Sequence, residues 1–186
     1  MRRRAQRSGS ASTRRSSARF PRSRAAWSRS AGRCAGEYDA RHLARRLRAR
    51  GATIALPVVV APRAPLEFRE WRPGVPMARG PLGIVQPCGT PRVLPEAVLL
   101  PVVGWDAQGY RLGYGGGYFD RTLAASDPPP SAIGVGYELS RLQTIHPQPW
   151  DVPLDWLVTE RGLYRRERGA LVFLGSAQAA AAVPAS

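Results

Sequence analysis

A run of glycine and aromatic residues in the middle of the chain has the composition of a phosphate-binding loop. The stretch YRLGYGGGYFDR, residues 110–121, contains four glycines within five positions, and an Asp follows them. Glycines lack a Cβ atom, so successive backbone N–H groups can close on phosphate oxygens, and a helix N-terminus behind them adds partial positive charge. Arg111 can add a charge-assisted hydrogen bond. We therefore expect this loop to bind phosphate groups.

The spacing of the glycines excludes two common nucleotide motifs. The dinucleotide fingerprint GxGxxG would need a glycine at position 118 or 120, where the chain has Tyr118 and Asp120. A P-loop needs a lysine, and the whole sequence contains none. A flexible linker is also excluded, because linkers rarely contain so many aromatic residues. Asp120 is then either a favourable acid in the first turn of a helix or an oxygen ligand for Mg²⁺.

Buried strands and helices alternate around this loop. Continuous apolar or alternating runs predict strands at 52–60, 66–71, 96–105, 132–137 and 155–164. Helical spacing and end signals predict helices at 40–50, 118–126 and 138–145, and a long loop at 72–95. This alternation predicts an α/β fold with a largely parallel sheet that is covered on both faces. The glycine loop would then lie at the carboxyl edge of the sheet, where such folds bind ligands.

The positive charge of the chain is concentrated at its N-terminus. Of the net charge of +15 on 186 residues, eleven Arg and no acid fall in residues 1–36. That segment has no helical or strand period. It is a disordered basic tail, a coding artefact, an organelle transit peptide or a nucleic-acid-binding arm. We expect three parts: an Arg/Ser-rich segment at 1–35, a folded domain at 36–175 and an Ala-rich tail at 176–186.

Cysteine usage and hydropathy indicate a cytoplasmic protein. Cys34 and Cys88 are isolated and have neither disulfide-framework nor metal-ligand spacing. No apolar run approaches the roughly 18 residues of a membrane span. We expect no membrane contact, with organelle import through the N-terminal segment as the alternative.

The sequence resembles one enzyme family over residues 36–165. LLPVVGWDAQGYRLGYGGGYFDRTLA is similar to the signature of the 5-formyltetrahydrofolate cyclo-ligases, also called methenyltetrahydrofolate synthetases. The segments GEYDA, GATIALPVV, LEFREWRPG, GIVQP, IGVGYE and HPQPWDVPLDWLVTE follow in the family's order. The resemblance implies a single three-layer α/β/α domain. It also implies ATP- and Mg²⁺-dependent conversion of 5-formyltetrahydrofolate to 5,10-methenyltetrahydrofolate, with release of ADP and phosphate.

The resemblance also implies the roles of individual residues. The ATP-binding residues are Arg111, Leu112, Gly113, Tyr114, Gly115, Gly116, Gly117, Tyr118 and Phe119. The folate-binding residues are Glu37, Tyr114, Gly115, Gly116, Gly117 and Tyr118. Asp120 and Asp155 correspond to Mg²⁺ ligands, although the residues alone favour Asp155 as a strand-start residue. No side chain is assigned as nucleophile or base, because the substrate supplies both nucleophiles.

Four further residues have no assigned role in the site. Phe68 and Trp71 contribute either to a folate pocket or to core packing, and His42 and His146 are expected to be structural.

The N-terminal segment departs from the family pattern, and this departure decides between the competing functions. The family begins with a helix whose Lys and Arg contact ATP, followed by a strand that leads to the substrate-binding Glu. Residues 1–35 show neither pattern. We expect an active monomeric cyclo-ligase. The alternatives are a member that binds nucleotide or folate with impaired turnover, and a nucleic-acid-binding protein that uses the Arg-rich arm, for which no RNA-binding module is present.

Overall fold

An eight-stranded sheet forms the centre of the protein. The computed structural model describes residues 24–27 and 40–176. Within these ranges the helices are α1 (Arg41–Ala49) and α2 (Tyr118–Ala125), with one 3-10 turn at Glu138–Ser140. The strands are β1 (Arg24–Trp27), β2 (Thr53–Val58), β3 (Glu67–Glu70), β4 (Met77–Arg79), β5 (Val85–Pro87), β6 (Ala97–Pro101), β7 (Gly104–Trp105), β8 (Arg111–Leu112), β9 (Ser131–Val135), β10 (Trp156–Val158), β11 (Leu163–Glu167) and β12 (Ala170–Gly175).

The five central strands of the sheet are parallel. The strand order is β12-β11-β10-β9-β6-β1-β2-β3, and the pairs β10–β9, β9–β6, β6–β1 and β1–β2 are parallel. The three outer pairs, β2–β3, β10–β11 and β11–β12, are antiparallel. The predicted α/β fold with a mostly parallel sheet is therefore confirmed. Because the chain moves to opposite sides of β1 in reaching β2 and β6, the strand order reverses there, and α/β sheets bind ligands at the carboxyl edge of such a point.

Strand β1 corrects the sequence analysis, which found no strand period in residues 1–36. Arg24, Ala25 and Ala26 pair with Thr53, Ile54 and Ala55 of β2, while Ala25 to Trp27 pair with Ala97 to Leu99 of β6. The backbone N–H of Glu96 also donates to the carbonyl oxygen of Arg24. A strand of four residues with only one large apolar residue, Trp27, is too short and too weakly apolar for a sequence pattern to reveal it. Pairing on both edges supplies the stability that the local sequence lacks.

Alternate side chains of the central strands belong to two separate cores. Ala55 of β2 and Val98 and Leu100 of β6 lie in one cluster with Leu123 of α2. Ile54, Leu56 and Leu99 lie in the other cluster, with Ala44 and Leu47 of α1. Since successive side chains of a strand point to opposite faces, α1 and α2 pack on different faces of the sheet. The three-layer arrangement remains a prediction, because each face has only one short helix in the described part of the chain.

Four further elements differ from the sequence-based expectation. The predicted loop at 72–95 contains the hairpin β4–β5. The single strand predicted at 155–164 is a parallel strand, β10, followed by a turn and the antiparallel strand β11. Strand β12 was not predicted, and the helix predicted at 138–145 is only the 3-10 turn. Antiparallel pairing with neighbours, which no local pattern contains, accounts for the four strands β4, β5, β11 and β12.

No helix within residues 24–27 and 40–176 is long and apolar enough to cross a membrane.

Candidate functional site

A large cavity lies at the carboxyl edge of the parallel strands, beside the glycine loop. Its volume is about 980 Å³, which is within the range of small-molecule sites. The carboxyl ends of β2 and β6 reach it through Leu56, Pro57, Val59 and Pro101. The strand-order reversal at β1 predicts a ligand site at this edge.

The glycine loop forms one wall of the cavity. All the residues from Arg111 to Arg121 line it. Gly115 and Gly117 have positive φ values of 77° and 60°, a conformation that disfavours residues with a side chain. Gly117 is also the N-cap of α2, which has no side-chain cap. The N-terminus of α2, with its first backbone N–H groups, therefore lies at the cavity, as expected for a site that binds anions.

Arg111 and Asp120 form an ion pair at the base of this loop. Nη2 of Arg111 donates to Oδ1 of Asp120 across 3.0 Å, and the arginine side chain is only 7% exposed. Nη1 of Arg111 donates to the carbonyl oxygen of Val152 at 2.6 Å, and the N–H of Val152 donates back to Oδ1 of Asp120 at 3.1 Å. Strand β8, helix α2 and the segment before β10 are thus joined by one closed set of hydrogen bonds.

Another wall of the cavity is apolar. It consists of side chains from the carboxyl end of β2, from the chain before β3 and from the β4–β5 hairpin: Leu56, Val59, Leu66, Leu82, Ile84 and Val85. The side-chain oxygen of Gln86 in β5 accepts a hydrogen bond from the N–H of Val59 at 3.1 Å. This bond attaches the hairpin to the carboxyl end of β2. Sequence reasoning missed the hairpin because its strands have only three residues each.

A third group of cavity residues lies in the segment between the 3-10 turn and β10. They are Ile145, His146, Gln148, Trp150 and Asp151. Trp150 is 70% exposed, and His146 has a φ of 54°, which is uncommon for a residue other than glycine. His146, which was expected to be structural, lies in the cavity wall. In the sequence, the only signal that this segment could contribute to a site was a tryptophan between a proline and an acid.

The structure separates the two predicted metal ligands. Asp120 lines the cavity, and neither of its two described contacts uses Oδ2. Asp155 is exposed, is not among the cavity residues, and accepts a hydrogen bond from the N–H of Ala132 through Oδ2 at 2.8 Å. Among the described residues no group of three or more His, Cys, Asp or Glu could hold a metal ion. Mg²⁺ is often held by one or two carboxylates and by substrate phosphates, so Asp120 fits such an ion.

The remaining candidate residues fall outside the cavity or outside the described chain. Glu37 lies outside the described residues. Phe68 is 4% exposed in the core that contains Trp105, and Trp71 packs against the core beside α1, so both contribute to packing. His42 is exposed on α1 and is not among the cavity residues.

Comparisons with known proteins identify a matching family. The sequence model described as the 5-formyltetrahydrofolate cyclo-ligase family matches residues 2–160, so the match extends into the Arg-rich segment. A 5-formyltetrahydrofolate cyclo-ligase of Haemophilus influenzae is 31% identical over 126 residues, which are 64% of this chain and 67% of that protein. An Escherichia coli protein of the same name is 31% identical over 131 residues, 67% of this chain and 72% of that protein.

A solved structure shares the fold. The NMR structure of an Aquifex aeolicus 5,10-methenyltetrahydrofolate synthetase has a TM-score of 0.63 and 28% sequence identity. The similarity covers 81% of this chain and 75% of the Aquifex chain.

Proposed function

We propose that this chain, which belongs to the 5-formyltetrahydrofolate cyclo-ligase family, converts 5-formyltetrahydrofolate to 5,10-methenyltetrahydrofolate while ATP becomes ADP and phosphate. The observation that carries the proposal is a single cavity with two unlike walls. One wall has the glycine loop with Arg111 and Asp120, and the other is apolar. A nucleotide phosphate tail and a flat ring system need these two surfaces next to each other.

The glycine loop is the proposed ATP site. Backbone N–H groups of residues 113–119 and the N-terminus of α2 supply donors and partial positive charge for phosphate oxygens. Arg111 adds a full positive charge, whose position is held by Asp120 and by the carbonyl oxygen of Val152. The aromatic rings of Tyr114 and Tyr118, together with the glycines between them, are proposed to face the folate as well.

The apolar wall is the proposed pterin site. The buried residues Leu56, Val59 and Leu66 line the cavity at the carboxyl end of β2 and in the chain before β3. Leu82 and Val85 of the hairpin are 49% and 41% exposed, and the face of a flat ring bound here would cover them. Glu37 is proposed to complete this site by hydrogen bonding to the pterin.

The formyl oxygen of the substrate is a poor leaving group, so the reaction requires its activation by phosphorylation. The formyl oxygen attacks the γ-phosphorus, the bond from that phosphorus to the β–γ bridging oxygen breaks, and ADP leaves. N10 then attacks the formyl carbon and loses its proton, and phosphate departs as the carbon–oxygen bond breaks. Both nucleophiles belong to the substrate. The protein therefore acts by positioning the reactants and by donating hydrogen bonds to the transferring phosphate.

Mg²⁺ is the proposed cofactor, and Asp120 is the described residue best suited to hold it. The ion supplies charge neutralisation on the nucleotide phosphates. Asp155 is the second proposed ligand, which rests on the family resemblance alone, because its carboxylate is not among the cavity residues. The chain is proposed to act as a monomer in the cytoplasm.

The deciding experiment is a direct assay of the purified chain. With ATP, Mg²⁺ and 5-formyltetrahydrofolate at neutral pH, we expect the near-ultraviolet absorbance of the methenyl product to appear. Reactions without ATP and without Mg²⁺ are the controls and should give no signal. A folded protein, checked by circular dichroism, that gives no absorbance in the complete reaction would contradict the proposal.

One observation favours a second candidate, a family member that binds without turnover. The sequence contains no Lys, whereas the family resemblance implies an N-terminal Lys that contacts ATP. Calorimetry separates the two functions. Saturable binding of ATP or of 5-formyltetrahydrofolate without formation of the methenyl product would favour binding alone.

A further inference from the structure

Asp106 is a buried carboxylate that none of the proposed chemistry uses. It follows β7, and its side chain is 1% exposed. A buried carboxylate is costly unless hydrogen bonds satisfy its oxygens. Here three backbone N–H groups do so, those of Gln108, Tyr110 and Ile145.

The two oxygens of Asp106 serve different parts of the chain. Oδ1 accepts from Gln108 at 3.1 Å and from Tyr110 at 3.0 Å, and so closes the turn that leads directly to Arg111. Oδ2 accepts from Ile145 at 3.2 Å, which is 39 residues further along the chain. One side chain thus holds the base of the glycine loop and a distant segment in a fixed relation.

That distant segment, residues 143–153, is here called the strap. It contributes His146, Gln148, Trp150 and Asp151 to the cavity. In the described part of the chain, its hydrogen bonds to other segments go to Asp106, Arg111 and Asp120. The rest are local, such as the bond from the N–H of Gln148 to Asp151. The strap is therefore attached near one end to Asp106, in the turn before the glycine loop, and near the other end to the loop itself.

We propose that Asp106 is a positioning residue that holds the strap against the glycine loop and so fixes the polar side of the cavity. The inference rests on the proposed function, since ATP is taken as the ligand of that side. Asp120 holds the end of the strap nearest β10, and Asp106 holds the end that carries His146. Without the bond at Ile145, the described hydrogen bonds of the strap to other segments would remain only at Val152. The next attachment before the strap would be the N–H of Leu142, which donates to the carbonyl oxygen of Trp105 at 2.7 Å.

The variant Asp106→Asn separates the two tasks of this side chain. An amide has one accepting oxygen and one donating NH₂ group. The oxygen is expected to stay with the two N–H groups of the turn. The NH₂ group then faces the N–H of Ile145, where two donors meet and the hydrogen bond is lost. The turn is preserved while this end of the strap loses its hydrogen bond to Asp106.

The test combines amide hydrogen exchange with steady-state kinetics. In the variant we expect the Ile145 amide to exchange about tenfold faster or more, while the amides of Gln108 and Tyr110 stay protected. We expect the KM for ATP to rise about tenfold with kcat changed less than about threefold, because the strap binds ground state and transition state alike. Tyr164→Phe is the matched control, since it also removes a partly buried hydrogen bond to a carboxylate but lies outside the cavity.

Each outcome decides the proposal. Unchanged exchange at Ile145, faster exchange at all three amides, or a KM for ATP that equals that of Tyr164→Phe would overturn it. The wild-type protein alone also tests the proposal: rapid hydrogen exchange of its Ile145 amide would overturn it. If the wild-type chain makes no methenyl product, the proposed function fails by itself. The dissociation constant of ATP from calorimetry then replaces KM.

Discussion

Arg111 and Asp120 are joined by a hydrogen bond of 3.0 Å between Nη2 and Oδ1 at the point where the glycine loop enters α2. The guanidinium is buried, whereas Asp120 is 22% exposed toward the cavity. The pair has two consequences. It fixes the position of the positive charge beside the loop, and it gives Asp120 a structural partner in addition to any ligand. A loss of activity on replacing either residue therefore needs to be separated from a loss of stability.

A double-mutant cycle on this pair measures its structural part. Arg111→Ala and Asp120→Ala should each lower the free energy of unfolding by about 1–3 kcal/mol, because each leaves a partly buried charge with fewer partners. The double variant should lose less than the sum, with a coupling energy of about 1–2 kcal/mol measured by urea denaturation. The exposed pair Arg165 and Glu167 is the control, for which about 0–1 kcal/mol is expected. Equal coupling in the two pairs would contradict the structural role.

Two glycines of the loop should respond differently to the same substitution. Gly117→Ala should lower the stability by about 1–2 kcal/mol, because its φ is 60° and its Cβ would lie 3.2 Å from Nη1 of Arg121. Gly113→Ala meets nothing within 4 Å and has no positive φ, so the stability should stay within about 0.5 kcal/mol. Its added methyl group nevertheless narrows the proposed phosphate site, and we expect kcat/KM to fall about tenfold or more.

Thermal denaturation and steady-state kinetics on the two variants separate these effects. Full activity in Gly113→Ala would contradict the proposal that phosphate lies close to this part of the backbone.

The two candidate metal ligands can be distinguished by titration with Mg²⁺. Asp120→Asn should raise the Mg²⁺ concentration for half-maximal activity about tenfold or more, since a carboxylate ligand is lost. Asp155→Asn should raise it as well if Asp155 is the second ligand that the family resemblance implies. A change of less than about twofold in Asp155→Asn would restrict the Mg²⁺ site to Asp120, because the Asp155 carboxylate is not among the cavity residues and an amide oxygen can still accept from Ala132.

Tyr164 gives the stability a dependence on alkaline pH. Burial raises the pKa of this side chain above its usual value of 10.0, and the hydrogen bond and the negative charge of Glu138 raise the pKa further. A raised pKa in the folded state means that the contribution is fully present below the unfolded-state pKa and is lost as pH rises through the folded-state pKa. The free energy of unfolding should therefore fall above about pH 10.

The variant Tyr164→Phe checks the origin of this effect. Its unfolding free energy, measured by urea denaturation from pH 8 to pH 11, should fall less steeply than that of the wild type. Identical slopes for the two proteins would assign the alkaline loss to other groups.

The sequence by itself determined the elements whose patterns are local and long. The apolar run at 52–60 and the helical spacing at 118–126 correspond to β2 and α2, whose ends differ from the predicted ones by a few residues. The glycine loop was recognisable because its chemistry lies within ten consecutive positions. The alternation of strands and helices was sufficient for the α/β class, since parallel strands buried on both faces are continuously apolar.

Only the tertiary structure decided which distant residues join the loop. Strand β1 forms because it is paired on both edges, and its own four residues carry too little apolar surface to indicate it. The strap reaches the cavity through the bond from Ile145 to Asp106, across 39 residues that no local pattern connects. Asp120 and Asp155 look equivalent as acids in a motif, yet only Asp120 lies in the cavity wall. Hydrogen bonds between segments far apart in the chain bring these residues to the cavity or keep them from it, and residue spacing within one segment does not contain that information.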